Sequence, residues 1–515
     1  MLPLLALLTS TATLFPGDAG RAPSAAQNII ILLADDVGVD LVHNYEKYYA
    51  GHPLAGYENT TPVIDYLART GLTFRNAWTN PSCSPSRAQL LTGLPAFRSG
   101  IGRNVGGPVE LGGGLDLNQP ILPTVLRTST LGNYHSAAVG KWHLAHNTAL
   151  ATSDGLFHAL GEAPYRWFDQ YAGSPRNLIG QGYNVWEKLF ATSIGSALDE
   201  CTPPSNGFCL ATVTDYATLD TADDAVHLIK TMPEPFFLYV PFNAPHEPLD
   251  LPTIIPERAG CIGLDGPVIG KPNCNQPTDT QQRARCMMQW LDNEVGRILC
   301  AVEADVDRPD LPTTIIFMGD NGSESFATVS PFFGLHTKRT VYDGGVHVPF
   351  IVKSPYVSPT LRGRSTNAMV DATDVFATVA DIAGATLPAD PNGFRDSHSI
   401  LPILTGQTSS VRDFLYAERF GDNFVPSPSG RPPVGWSVDE HERTIRNLKG
   451  YKLIQRVRRQ TSGSISIQEE FYHLRPDPYE SDNLMNEVEL MQEPFASNYA
   501  ELRAELDANY PALVF

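Results

Sequence analysis

The sequence is short of charge, and shorter still of positive charge. Asp, Glu, Lys and Arg make up only 18% of 515 residues, and 37 basic residues face 56 acidic ones, a formal net charge of −19. Such a chain is repelled by a phosphate backbone or an anionic membrane, so neither is expected as its main partner. A small anion held in a local basic pocket is not excluded. Long apolar runs are also missing. Past the N-terminus, no stretch reaches the roughly 18 consecutive apolar residues that a spanning helix needs, so no stable membrane span is expected. There is no internal repeat and no low-complexity tract. Cysteine is scarce, with seven in all. The number is odd, so in an exported protein one cysteine is left without a disulfide partner.

Glycine and proline are plentiful, 42 of each. They imply many turns and long loops, and they argue against a coiled coil or a simple helical bundle. A hydrophobic fraction of 42% excludes a largely disordered chain. The length exceeds what one compact core usually spans, which suggests two domains. Residues Met1–Phe15 are apolar or small, and small residues follow to Ala26. No Lys or Arg precedes the run, but its length suits a signal peptide. Residues 1–27 are therefore read as signal peptide and leader, and the mature protein as secreted or periplasmic.

Asn28–Leu33 is a continuous apolar run, as expected of a strand buried on both faces. Thr61 and Pro62 then open a helix as N-cap and first residue, with Ile64, Leu67 and Ala68 inward and Gly71 as the stop. Further strands are expected at Leu72–Trp78, Ser136–Val139, Phe236–Val240, Thr313–Met318 and Val348–Val352. Helical patterns lie between them; Met287, Leu291, Val295 and Ile298 share one face. Alternating strands and helices imply a mixed, mostly parallel sheet sandwiched by helices, here spanning 28–410. The pattern then changes. Short strands at Thr444–Leu448, Tyr451–Gln455, Ser464–Ile467 and Phe471–Leu474, closed by a helix at Ala496–Leu506, imply a smaller antiparallel sheet plus helix in a C-terminal subdomain, 411–515.

Two of the buried strands end in acids. Asp35-Asp36 follows the first, and Asp320-Asn321 follows Thr313–Met318. In open α/β sheets, ligands bind beyond the carboxyl ends of the strands. Four hard oxygen donors suit Ca²⁺, or less well Mg²⁺, better than zinc. For either pair alone, capping and turn chemistry explain the residues as well. A third segment, Pro81-Ser82-Cys83-Ser84-Pro85-Ser86-Arg87, places a cysteine at a helix start, where negative charge is stabilised. Arg87 lies one helical turn further on.

This segment, with Leu90-Leu91-Thr92-Gly93 after it, resembles the signature of the formylglycine-dependent sulfatases, members of the alkaline phosphatase-like superfamily. In that family the cysteine is oxidised to formylglycine. Four more blocks, in order, resemble the same family. Tyr134–His143 ends in Gly140-Lys141-Trp142-His143. Phe236–Val240 leads into Asn243-Ala244-Pro245-His246. Lys338–Pro349 departs from the family pattern at Asp343 and His347, where Glu and Arg are usual. Phe471–Glu480 carries the Asp-Pro-x-Glu ending.

The resemblance implies an enzyme, an arylsulfatase-like sulfuric ester hydrolase acting on a carbohydrate or aryl sulfate. It implies one divalent ion, Ca²⁺ before Mg²⁺, held by Asp35, Asp36, Asp320 and Asn321 beside the formylglycine made from Cys83. Arg87, Lys141 and Lys338 would hold the sulfate. His143 would take a proton from the formylglycine hydrate, and His246 or Lys338 would protonate the leaving oxygen. His135, His336 and His347 receive no role. A formylglycine-generating or equivalent maturation enzyme is an implied partner. Two rival readings stand beside this one: a phosphodiesterase or phosphonate monoester hydrolase built on the same machinery, and a catalytically silent sulfate-binding protein. With Cys83 set apart, six cysteines remain. Local bridges Cys201–Cys209 and Cys261–Cys274 are expected. Cys286 and Cys300 would lie about 21 Å apart on one helix, too far to pair with each other.

Overall fold

The computed structural model describes residues 26–46, 61–105, 114–116, 118–144, 168–173, 186–192, 208–253, 277, 279–303, 312–328, 332, 336–388, 396–424, 438–485 and 490–513. Almost all of the leader segment, and the side chains of Cys201, Cys209, Cys261 and Cys274, lie outside these residues. Within the described residues, no helix is long and apolar enough to cross a membrane.

Ten strands form one sheet: β1 (Asn28–Ala34), β2 (Leu72–Trp78), β3 (His135–Val139), β4 (Gln170–Gly173), β5 (Trp186–Thr192), β6 (Phe208–Val213), β7 (Phe236–Pro241), β8 (Thr313–Gly319), β9 (Phe350–Lys353) and β10 (Arg364–Asp371). Their order is β10-β2-β9-β8-β1-β7-β3-β4-β5-β6. The strand pairings make β5 and β9 run against the other eight, so the sheet is mixed but mostly parallel. The unbroken apolar run of β1 follows from its central place. Ile29, Ile31 and Leu33 enter the core on one face, with Phe237, Tyr239 and Trp142. Ile30 and Leu32 enter the core on the other, with Leu238, Leu291 and Ile298.

The helix Pro62–Thr70 forms where expected and buries Val63, Ile64, Leu67 and Ala68. Thr61 stands at the N-cap position, but its hydroxyl does not cap the helix; it accepts the His43 N–H instead. The cap comes from another element. Asp292, buried on the helix Thr280–Glu303, accepts the N–H groups of Val63 at 3.1 Å and Ile64 at 2.8 Å. Removing this carboxylate strands two buried donors. Asp292→Ala is therefore expected to lower stability by about 2 kcal/mol. An unchanged midpoint in a urea titration would refute that capping role.

The helix Thr280–Glu303 is continuous over 24 residues, and both Cys286 and Cys300 are disulfide-bonded. The helix keeps them too far apart to bond to each other. Cys83 is free, and the side chains of the expected bridges Cys201–Cys209 and Cys261–Cys274 fall outside the described residues.

A second sheet, β11 (Phe414–Phe420), β12 (Glu440–Asn447), β13 (Tyr451–Arg459) and β14 (Ile465–His473), is antiparallel throughout. The two strands expected at Ser464–Ile467 and Phe471–Leu474 are one. Gln468, Glu469 and Glu470 break the apolar pattern but stay in register with β13. Glu469 pairs with Arg503 of the C-terminal helix and Glu470 with Arg456 of β13, so neighbouring elements satisfy the interruption. The helix Phe495–Asn509 covers one face of this sheet through Leu502 and Leu506. The other face packs Leu415, Ala417, Ile454 and Tyr472 on Trp78 at the end of β2.

Candidate active site

Strand order builds the site. At the carboxyl edge of the sheet, β8, β1, β7 and β3 stand side by side, with Ala34 level with Gly319 and Leu33 level with Pro241. The residues that follow each strand therefore emerge in one row: Asp320-Asn321, Asp35-Asp36, the turn Asn243–His246, and Lys141 to His143. Backbone bonds lace the row together, Asp320 N–H to Ala34 O at 2.9 Å, Asp35 N–H to Ala244 O at 3.2 Å and Lys141 N–H to Pro241 O at 2.7 Å. Gly140 is what lets β3 pass so close. It has φ +112°, and a Cβ there would strike the Pro241 carbonyl. Cys83 opens the helix Cys83–Thr92, whose ten residues are all buried.

Cys83 Sγ lies 3.3 Å from Asp35 Oδ1, 3.8 Å from Asp36 Oδ1 and 3.5 Å from Lys141 Nζ. Lys141 Nζ reaches Asp35 Oδ2 at 2.5 Å. Arg87 grips one oxygen of Asp320 with two donors, at 3.0 and 2.8 Å, and gives a third to the Lys141 carbonyl at 2.7 Å. Lys338 Nζ meets Asp36 at 2.6 Å. His246 Nε2 is 3.8 Å from Asp36 Oδ2. The structure thus brings Asp35, Asp36, Cys83, Arg87, Lys141, His246, Asp320 and Lys338 together, with Asn321 joined through its Nδ2 donor to Asp36 at 2.9 Å.

Three buried carboxylates, Asp35, Asp36 and Asp320, face three buried cations, Arg87, Lys141 and Lys338. The cluster is neutral, which is how so many charges remain buried together. Burial disfavours the Lys338 ammonium, but Asp36 and its neighbours outweigh this and hold its pKa well above the ordinary value. Burial raises Asp36, yet the ammonium groups of Lys338 and Lys141 pull it well below the usual carboxylate range. Asp320 is pushed up to about 6 by burial and by Asp35. The Cys83 thiol is raised by burial, then by Asp35. An unmodified Cys83 is therefore a poor thiolate nucleophile.

Both histidines are neutral. Burial, then Lys141 and Arg87, holds His143 well below its ordinary pKa, and its buried Nδ1 has no hydrogen-bond partner. Burial lowers His246 to about 3. His246 Nδ1 lies 2.6 Å from the Glu247 carbonyl, which can only accept, so Nδ1 carries the proton and Nε2 is an acceptor. Of the two expected proton donors to a leaving oxygen, Lys338 is the one already charged.

Asp36, His143 and Arg339 have left-handed backbones, with φ of 64°, 59° and 71°. Such strain in non-glycine residues gathers at functional sites. Ser84 holds one of them in place: its hydroxyl donates to the His143 carbonyl at 2.7 Å. Sequence reasoning gave Ser84 no task, since the motif accepts any residue there. The two departures in the Lys338 block compensate each other. His347 Nδ1 pairs with Asp343 Oδ2 at 2.9 Å and Nε2 meets the Arg75 carbonyl at 2.8 Å, so the loop is anchored. His336 stacks on Tyr342.

The residues fit a hard cation. Ligand atoms of Asp35, Asp36, Cys83 and His246 lie within 4.8 Å of one another, and buried Asn321 Oδ1 has no hydrogen-bond partner. His246 was not expected in that set. Sulfur is the mismatched donor, and oxidation of Cys83 to an aldehyde hydrate would replace it with oxygen.

Residues 27–385 match the sulfatase family. The chain belongs to that family. Residues 332–507 also match the C-terminal region of N-sulphoglucosamine sulphohydrolase. The sulfatase is 30% identical to mouse (Mus musculus) arylsulfatase G over 444 residues, covering 78% of this chain and 73% of that protein. It is 29% identical to N-acetylgalactosamine-6-sulfatase of the dog (Canis lupus familiaris) over 437 residues, covering 80% of this chain and 72% of that one. Its fold matches the structure of BT4656 in complex with its substrate D-glucosamine-2-N,6-O-disulfate, with TM-score 0.62, 19% identity, and coverage of 94% and 97% of the two chains. The sulfatase is a sulfuric ester hydrolase with the alkaline phosphatase-like fold.

Proposed function

We propose that this sulfatase hydrolyses a carbohydrate sulfate ester, using formylglycine made from Cys83 and one Ca²⁺ held by Asp35, Asp36, Asp320 and Asn321. The observation that carries the reading is Cys83 at a buried helix start, 3.3 Å from Asp35 Oδ1 and 3.5 Å from Lys141 Nζ. As a formylglycine hydrate, residue 83 would present two hydroxyls on one carbon: one attacks sulfur and displaces the alcohol, and loss of the second proton then lets the aldehyde re-form and sulfate depart. A divalent cation would add positive charge to a neutral cluster and favour ionisation of an adjacent hydroxyl.

The chain's own residues do the rest. Arg87 and Lys141 flank the nucleophile and hold sulfate oxygens. Neutral His143 takes the proton of the second hydroxyl, a role that suits a base with a free ring nitrogen. Lys338 donates to the leaving oxygen, and His246 accepts or orients beside it. A sugar substrate is favoured by the relatives, one named for N-acetylgalactosamine 6-sulfate and one bound to a glucosamine disulfate. Maturation requires a formylglycine-generating or equivalent enzyme, and we place the mature protein outside the cytoplasm, secreted or periplasmic.

Sulfate release from N-acetylhexosamine 6-sulfates tests the substrate, with matched phosphate esters as the control. The neutral cluster plus one divalent cation suits a monoanionic ester and an ionised nucleophile better than a dianion. Sulfate esters are therefore expected to turn over faster at saturation. Faster turnover of phosphate esters would favour the phosphohydrolase reading instead.

A further inference from the structure

Glu324 lies outside every motif that pointed to the site. It sits four residues past Asp320, its side chain only 8% exposed, with Oε1 3.4 Å from Lys338 Nζ and 2.7 Å from Arg339 Nη2. Lys338 is thus shared by two carboxylates, Asp36 at 2.6 Å and Glu324 at 3.4 Å. The two are not equivalent. Asp36 lies 3.8 Å from Cys83 Sγ, among the donor atoms that could hold a cation, whereas the Glu324 carboxylate meets Lys338 and Arg339. A divalent ion on Asp36 would engage the same oxygens that hold Lys338 and would repel its ammonium. Glu324 is then the carboxylate left to orient the lysine.

The backbone around it is firmly set. Lys338 N–H donates to Ser323 O at 3.0 Å, and the Glu324 carbonyl accepts the N–H groups of Ala327 and Thr328 at 2.9 Å each. Ser323 Oγ accepts Gly38 N–H at 3.0 Å and donates to Asp40 at 2.7 Å. Left-handed Arg339 donates its N–H to Pro81 O at 2.7 Å, two residues before Cys83. Glu324, Lys338 and the start of the nucleophile helix are therefore tied into one unit.

We propose that Glu324 is a positioning residue that acts through Lys338, keeping its ammonium aimed at the sulfuryl group and off Asp36 when the cation is bound. This rests on the cation reading of Asp36 given above. The test uses wild type, Glu324→Gln, Lys338→Met and the double variant. Ca²⁺ affinity is measured by calorimetry on metal-stripped protein, and kcat/KM on the loaded enzyme with an aryl sulfate. Glu324→Gln weakens both by about 10-fold to 100-fold, because Lys338 falls back on Asp36. In the Lys338→Met background the same change costs less than about twofold, since the lysine it acts through is gone. Glu324→Asp, which keeps the charge, recovers part of both. Equal losses with and without Lys338, or no loss in the wild-type background, overturn the proposal alone. Wild-type protein that hydrolyses sulfate esters without taking up Ca²⁺ overturns the cation reading and the proposal with it.

Discussion

Cys83→Ala lowers kcat for sulfate ester hydrolysis by at least about 10⁴-fold, and Cys83→Ser does not restore turnover. The two variants fail differently. Alanine offers no nucleophile. Serine offers one hydroxyl in the same buried place, beside Asp35 and Lys141. It can attack sulfur once, but with no second hydroxyl on that carbon it cannot expel sulfate. The serine variant should therefore release about one equivalent of alcohol and no inorganic sulfate, and gain about 80 Da as a stable sulfate ester. A burst of alcohol with stoichiometric sulfate would contradict the two-hydroxyl chemistry. Neither variant should unfold the protein. The Cys83 thiol forms no disulfide, and the ion pairs around it do not need it.

The second large effect is removal of the divalent cation. A chelator should lower kcat by about 10³-fold, equivalent to about 4 kcal/mol of charge stabilisation at the reacting group. Ca²⁺ should restore activity better than Mg²⁺, because carboxylate and amide oxygens brought in from two strand ends suit the larger ion with its looser coordination. The stripped protein should remain folded. Without the ion, Arg87, Lys141 and Lys338 already balance Asp35, Asp36 and Asp320. Only the binding contribution to Tm is lost. Full activity after exhaustive chelation, with no metal found by elemental analysis, would contradict the assignment of these residues to a cation.

The central strands were legible because burial on both faces writes itself as a continuous apolar run. β1, β7 and β8 all have it, and β2 stands beside a clear helix stop at Gly71. β10 was not legible. Its first half, Arg364 to Asn367, is largely exposed and polar, and only its second half enters the core. β14 was read as two strands because Gln468, Glu469 and Glu470 interrupt the pattern. Nothing local reveals that their partners come from β13 and the C-terminal helix.

The site was legible for a related reason. Most of the expected residues sit just past a strand end or in the first turns of the Cys83–Thr92 helix, where short motifs form, and strand order then brings these motifs together; Lys338 joins them from the turn before Asp343. Residues whose work is defined by distant partners escaped notice. Asp292 caps a helix 228 residues away in sequence. Glu324 carries no motif of its own, and its meaning comes from Lys338. Ser84 matters through the His143 carbonyl. The odd cysteine in the count gained its meaning from the resemblance of Cys83–Arg87 to the sulfatase signature, which picked out Cys83, the residue around which the buried charges are arranged.

Mass spectrometry of the Cys83 peptide, from protein made in its native host and digested without alkylation, tests the account most directly. The peptide is expected about 18 Da lighter than its unmodified form, the change from a thiol to the aldehyde that the two-hydroxyl chemistry requires. An intact Cys83 thiol in preparations that turn over sulfate esters would contradict it.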